Sequence, residues 1–458
     1  MNDETLTQWL LFPDLFDKPV AALFDQHDGS SDGGAILLKA ADRHLGLLDR
    51  LAGCIKDDRQ PGKIEHELIE VLSQRVYSIA CGYPDANDAA RLADDPVHKM
   101  LLDRDPIEGK TLASQPTLSR FENGVGPKDL YRMAEALADV VIERHRRRLR
   151  GRTRRIKIDF DPTDDPTHGQ QQLSFFNGHY DSWCYLPLMG FISFDDEPEQ
   201  YLVASVLRPG NVHGTAGFFG VLRRLVERLT EAFPRVDILV RLDAAYATPE
   251  VLEFLDDARL RFVVAMAKNS VLERHAELLM KRARRLSRAS GKTEHVYGEC
   301  RYAARKWNRK RRVIIKAEVT RLEGREPKDN PRFVITNLPG APREIYEQVY
   351  CERGDVENRI KELHLGLEID RTSCSRFWAN QFRVLLTAAA YVLMQEIRWR
   401  AAKTACARAQ VWTLRERLFK LGVHVVRSVR RIVLHLPASF PFIEDWRRVA
   451  AAFGARAG

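Results

Sequence analysis

The hydrophobic positions change period at about residue 150. Before that point Leu37, Leu38, Ala41, Leu45, Leu48 and Leu51 recur at spacings of three and four, and so do Ile64, Leu68, Val71, Leu72, Val76 and Ile79. That spacing lines one face of a helix. Gly82 and Pro84 stop the second run. Residues 1–150 therefore read as an all-helical region. A further short helix is expected after Ser114, whose hydroxyl suits an N-cap, with Gln115, Ser119, Arg120 and Asn123 on its polar face. Those side chains either meet base edges and phosphates in a major groove or belong to a capped surface turn.

Beyond residue 150 the pattern is strand-like. Ile156, Ile158 and Phe160 alternate with Lys157, Asp159 and Asp161. Runs 183–194 and 201–207 are β-rich, 218–229 is helical, 236–242 is a strand, 251–255 a helix and 260–266 a strand. Three strands followed by alternating helix and strand describe an α/β layered domain. A segment at 270–345 interrupts it with strands expected at 313–319 and 332–336. Helices follow at 346–365 and 382–397, and the basic tail after 400 reads as mostly helical. The expected organisation is a helical region at 1–150, a core at 151–269 and 346–400, an insertion at 270–345, and a tail at 401–458.

Charge sharpens this picture. The net charge of the 458 residues is +9. From Lys281 to Arg312 there are 13 Lys and Arg against Glu294 and Glu299, a local +11, so the remainder of the chain is close to neutral. A second cluster, Arg144 to Arg155, holds eight arginines. Such concentration suits a polyanion, most often nucleic acid; a solvated helix face is the alternative. No run of 18 apolar residues suggests a membrane span, and the acidic N-terminus lacks the basic start of a secretory signal. Seven scattered cysteines point to a reducing cytoplasm and away from a disulfide framework or a zinc knuckle.

Three acidic positions are expected at one edge of the sheet. Asp159 and Asp161 share a face of their strand, and Pro162 ends it. Asp243 ends the buried-looking strand VDILVRLD. In YCERGDVENRIKELH, residues Tyr350, Arg353, Glu357 and Lys361 share a helix face. Ligands of α/β sheets gather at such strand ends. Carboxylates there suit Mg²⁺, and two ions about 4 Å apart can drive phosphodiester displacement. Arg and Lys beside them would hold phosphates, Arg through its bidentate fork. Strand-end aspartates that merely cap turns, and a Glu357 paired to Arg353 or Lys361, are the structural alternative. No GxSxG, GxxxxGK[ST], GxGxxG or HExxH occurs, so serine hydrolysis, nucleotide cofactors and zinc are unsupported. Trp307, among Arg305, Lys306, Arg309, Lys310, Arg311 and Arg312, either stacks on an unpaired base or packs inside the insertion.

These motifs resemble bacterial insertion-sequence transposases of the DDE type, the cut-and-paste group with a Y-R-E-K signature. The resemblance covers residues 156 to about 441 and rests on DFDPTDDPTHGQQ, RLDAAY, PRFVITNL, YCERGDVENRIKE and DRTSC…ANQFRVLL. It implies an α/β fold with an RNase H-like catalytic core, a β-rich basic insertion and an N-terminal all-helical DNA-binding region. It assigns Asp161, Asp243 and Glu357 as catalytic metal ligands for two Mg²⁺ ions, with Mn²⁺ as a substitute. Asp159 is an alternative first ligand. Asp243 and Glu357 lie 114 residues apart, room for the insertion. The implied DNA contacts are Tyr350, Arg353, Lys361, His364, Trp307, Arg309, Arg311, Arg312 and Arg120. The signature's last member falls on His364, with Lys361 one turn earlier. The implied activity is metal-dependent strand cleavage and strand transfer on double-stranded DNA, at terminal inverted repeats and a target, by a homodimer in the bacterial cytoplasm. A standalone RNase H-like nuclease and a non-catalytic DNA-binding regulator are the competing readings.

Overall fold

The computed structural model describes residues 9–11, 15, 17–150 and 152–456; the acidic start read as arguing against a secretory signal lies mostly outside them. The chain divides into two compact units, one of residues 1–44, 60–119 and 396–458, the other of residues 45–59 and 120–395. No helix among the described residues is long and apolar enough to cross a membrane.

The larger unit is built on a nine-stranded mixed sheet. Its strands are β1 (Arg155–Pro162), β2 (Leu188–Phe194), β3 (Tyr201–Val206), β4 (Asp237–Leu242), β5 (Arg261–Met266), β6 (Glu294–Tyr302), β7 (Arg311–Thr320) and β8 (Arg332–Thr336), in the order β6-β7-β8-β5-β4-β1-β2-β3, with Lys328–Asp329 on β7. β1, β2 and β3 form an antiparallel meander, while β4 and β5 run parallel to β1. The inserted strands are all antiparallel to their neighbours and continue this same sheet outward from β5. The expected run 183–194 splits at Pro187, so that Ser182–Tyr185 joins a separate three-stranded sheet with Asp165–Pro166 and Phe175–Asn177. Proline has no N–H to give a continuing ladder.

Helices α1 (Pro127–Leu149), α2 (Phe218–Ala232), α3 (Pro249–Asp257), α4 (Ser270–Ser290), α5 (Gly354–Leu367) and α6 (Phe377–Arg400) accompany the sheet. On one face Phe160 of β1 meets Phe218 edge-on, with centroids 5.2 Å apart, and Phe218 meets Tyr246. On the other, Leu239, Val263, Ile314 and Val334 pack under Ile345 and Tyr346. Each such aliphatic contributes about 1.5–3 kcal/mol by leaving water. The boundary expected at residue 150 is displaced because α1 belongs to the sheet: His145 stacks on Tyr201 of β3 at 3.9 Å, and Phe194 of β2 lies 4.8 Å away. α4 and β6 correspond to no expected element. The charged residues that mark this stretch hide the spacing of Leu272, Ala276, Met280, Ala283 and Ser287, the buried stripe of α4.

The smaller unit is not all-helical, contrary to expectation. Gly29–Ser30 pairs with Val423–Arg427, which pairs with Ile432–His435, so the N-terminal region and the tail share strands. Helices Ile36–Leu45 and Leu68–Cys81 are present, and Gly46, at φ +65°, ends the first.

Asp165, fully buried in the larger unit, accepts the Thr372 hydroxyl on both oxygens at 2.8 and 2.9 Å. Burial pushes its carboxyl up to about 8; Thr372 opposes this, and Asp370 and Asp164 add to it. The folded chain thus holds a proton that the unfolded chain releases near pH 4. Stability from this site therefore falls as pH rises from about 4 through 8. In thermal melts, wild type should lose ground to Asp165→Asn between pH 5 and pH 9. Parallel pH curves would show that the carboxyl is not protonated in the fold.

Candidate active site

Three elements deliver the acidic residues. β1 carries Asp161 one residue before its end, β4 runs into Asp243, and the first turn of α5 carries Glu357. Asp161 accepts from Arg353 Nη2 at 2.7 Å. Burial pushes the Asp161 carboxyl up to about 6; Arg353 opposes the rise, and the charges of Asp243 and Glu357 add to it. Asp161 thus feels the charges of both other carboxylates. Asp243 also accepts the Ala245 N–H at 2.8 Å, so it caps its turn as well.

The segment before α5 departs from the single regular helix expected there. Residues Ile345–Tyr350 form a π-helical turn and Cys351–Arg353 a tight 3₁₀ turn. Turns of the first kind gather at functional sites because they re-aim side chains. Here Tyr350 packs on Tyr346 at 5.4 Å. Burial raises its phenol, with Arg353 opposing and Asp243 adding. Tyr350, Arg353 and Glu357 thus sit with the two aspartates. His364 lies further along α5, its Nε2 3.0 Å from the Thr163 hydroxyl and its Nδ1 3.2 Å from Asp370. It ties α5 to the turn just past Asp161, whereas Lys361 is exposed.

Asp159 requires a correction. It is fully buried, and Arg241 grips both its oxygens at 2.7 Å. Arg241 also donates to the Val349 carbonyl at 3.0 Å. A carboxylate engaged on both oxygens in this way is not available to a metal, which leaves Asp161 as the candidate carboxylate on β1. The cue in the sequence is Arg241 itself, a cation inside the apolar run VDILVRL, which needs a buried partner.

The donor set fits a hard divalent cation. Carboxylate oxygens are the hard donors such an ion prefers; at Asp161 burial raises the carboxyl first, Arg353 opposes the rise, and the charges of Asp243 and Glu357 add to it. Among the described residues, a compact group of potential metal ligands lies elsewhere, at Asp32, Cys81 and His98 of the smaller unit. There Asp32 is already held by His98 Nε2 at 3.0 Å and Lys420 Nζ at 2.7 Å, and burial raises the Cys81 thiol well above its usual range. That group is an internal ion pair.

The sequence model of the family described as transposase DDE domain group 1 matches residues 12–455. The chain belongs to this DDE transposase family. No curated protein matches it. Among solved structures it is similar to the piggyBac transposase synaptic complex with hairpin DNA, solved by cryo-EM, at 10% identity and a TM-score of 0.45, over 84% of this chain and 78% of that one. Transposases of this family act on DNA and use divalent metal ions.

The transposase's basic run is arranged differently from expectation. Arg311 is 4% exposed and its guanidinium holds Asp256, at 2.9 Å from Nε and 2.7 Å from Nη2; Arg309 holds the same carboxylate at 2.9 Å. Arg312 bonds Glu299 and donates to the carbonyls of Leu338 and Gly340. Arg312 is thus engaged within the protein, and Arg311 is held by Asp256 through two of its nitrogens while its Nη1 has no hydrogen-bond partner. Trp307 is half-buried, edge-on to Tyr302 at 5.5 Å and covered by the Arg311 guanidinium at 5.3 Å. That is the packing role of the two expected for it. Register also separates it from the carboxylates. Arg241 aligns with Val263, then Thr336, then Arg312, and the 303–310 turn continues from Tyr302 and Arg311 away from the Asp243 edge. Arg120 is exposed on the Gln115–Gly124 helix.

Tyr180 went unnoticed in the sequence. Burial pushes its phenol up to about 12, and the charges of Asp164, Asp161 and Asp243 add to the rise. Nothing in FFNGHYDS distinguishes it from any loop aromatic.

Two substitutions separate the roles of the aspartates. Asp159→Ala should cost about 3–5 kcal/mol in urea unfolding, because it strands a buried arginine. Asp243→Ala, at a half-buried turn cap, should cost only about 1 kcal/mol. Equal losses would overturn the assignment of Asp159 to structure.

Proposed function

We propose that this transposase binds the terminal inverted repeats of an insertion sequence and carries out strand cleavage and strand transfer on an RNase H-like core. The order β5-β4-β1-β2-β3, with its antiparallel meander and two parallel additions, supports that core. The observation that carries the proposal is the Arg353–Asp161 pair at the strand end, where Asp161 also feels the charges of Asp243 and Glu357.

Asp161, Asp243 and Glu357 would hold two Mg²⁺ ions, with Mn²⁺ able to substitute. Bound there, such ions activate an attacking oxygen and stabilise the leaving one. Arg353 offsets the repulsion among the carboxylates; its Nε is buried without a hydrogen-bond partner, so it retains donor capacity next to the reacting phosphate. Tyr350 flanks that guanidinium, and His364 with Thr163 and Asp370 steadies the turn after Asp161. Water attacks first, and the freed 3′-OH then serves as nucleophile. Two ends must be joined, which calls for a homodimer on double-stranded DNA.

Asp243→Ala should abolish Mg²⁺-dependent nicking of repeat-end DNA while gel-shift affinity for the same duplex stays near wild type, because the phosphate contacts survive. A variant that still nicks at a comparable rate refutes the assignment. A wild-type protein that nicks but never joins the 3′-OH to target DNA would mark a nuclease instead.

A further inference from the structure

At the end of the sheet away from Asp161 and Asp243 lies a cavity of about 540 Å³. Six Arg or Lys side chains line it, among them Arg301, Lys310 and Arg311, against only Asp256 and Glu299. The excess is four positive charges. Arg311 is almost completely buried, and although two of its nitrogens hold Asp256, its Nη1 is enclosed without a hydrogen-bond partner. An enclosed guanidinium nitrogen with nothing to donate to is costly unless an acceptor arrives. Arg301 and Lys310 are exposed at the rim, and their side chains make no hydrogen bond or ion pair among the described residues. Internal pairing thus pre-organises Arg311 and leaves the rim cations for a ligand.

We propose that this cavity seats a backbone phosphate of DNA, on a stretch of duplex separate from the one being cut. A phosphodiester supplies the negative charge that the lining lacks, and the exposed Arg301 and Lys310 can donate to it. The separation follows from register. β7, which carries the cavity's arginines, lies three strands from β4, about 14 Å to the side at ~4.8 Å per strand. Arg311 aligns with Val240, three residues short of Asp243 and so about 10 Å back along the strand. The cavity and the carboxylates are thus about 17 Å apart or more, or five base pairs at ~3.4 Å each. One phosphate cannot touch both. The inference rests on DNA as the substrate, and it adds a second anchoring point outside the cleavage site.

The test is the double variant Arg301→Gln/Lys310→Gln, which spares Arg311 and its Asp256 partner. Its melting temperature should match wild type. Binding to a 30-base-pair repeat-end duplex should weaken several-fold, and the log–log salt slope should fall by about 0.9 for each phosphate that the variant no longer neutralises. Titration with inorganic phosphate should show heat of binding with wild type and less with the variant. An unchanged salt slope overturns the proposal, whatever free phosphate does. Phosphate binding that disappears in the variant while the slope holds would assign the cavity to a small anion only. Backbone contacts ignore sequence, so the slope can be read on an unrelated duplex as well. A protein that binds both duplexes alike, with the slope shift intact, would refute repeat recognition and leave this site standing.

Discussion

Beneath the catalytic edge, Arg241 of β4 grips Asp159 of β1 across adjacent strands and reaches on to the carbonyl of Val349. Breaking such a pair leaves an uncompensated buried charge, which costs far more than the pair contributes over an apolar substitute. The contact is therefore better understood as a constraint on geometry than as a source of stability. It accepts one register between β1 and β4, and one height for the π-helical turn above them. Asp161 lies two residues beyond Asp159 on the same face, Asp243 two beyond Arg241, and Arg353 four beyond Val349. All three reach the same edge because the pair below them leaves no other alignment.

What that constraint assembles is electrostatically unfavourable by itself. Burial raises the proton affinity of Asp161, the charges of Asp243 and Glu357 add to the rise, and Arg353 opposes it. Mutual repulsion of this kind is tolerated where the scaffold is stiff, and it leaves a site that gains on binding a cation. The irregular turn before α5 belongs to the same arrangement, since it sets Tyr350 and Arg353 against the sheet without disturbing the regular helix that carries Glu357.

The insertion illustrates how a sheet transmits position. Its strands continue the core sheet, so its hairpin tip is held rigidly relative to the carboxylates, yet at the opposite end of the strands. A tip rich in arginine would repel itself if nothing answered it. Asp256 from α3 and Glu299 from β6 do so, fixing Arg309, Arg311 and Arg312 in place and leaving fewer cations to meet a partner than the composition implies.

Much of the core was legible in the chain's own pattern. Period-two alternation marked β1, β-rich runs marked β3 to β5, and the strand-end aspartates and the helix-borne Tyr350, Arg353 and Glu357 stood out by position, because a residue's burial imprints itself on its near neighbours. Pro187 hid its effect inside a continuous β-rich run, and charges masked the stripe of α4. Partnership was beyond reach. Asp159 and Asp161 look alike in IKIDFDP, and only the arrival of Arg241 from 82 residues away decides which one is gripped on both oxygens. Trp307 sits among cations in the sequence, and only strand order shows that it points away from the chemistry. The amino-acid sequence by itself determined which residues carry charge, which faces are buried and which side chains suit a metal. The tertiary structure decided which of them meet, because ion pairs and strand registers join residues that local spacing cannot relate.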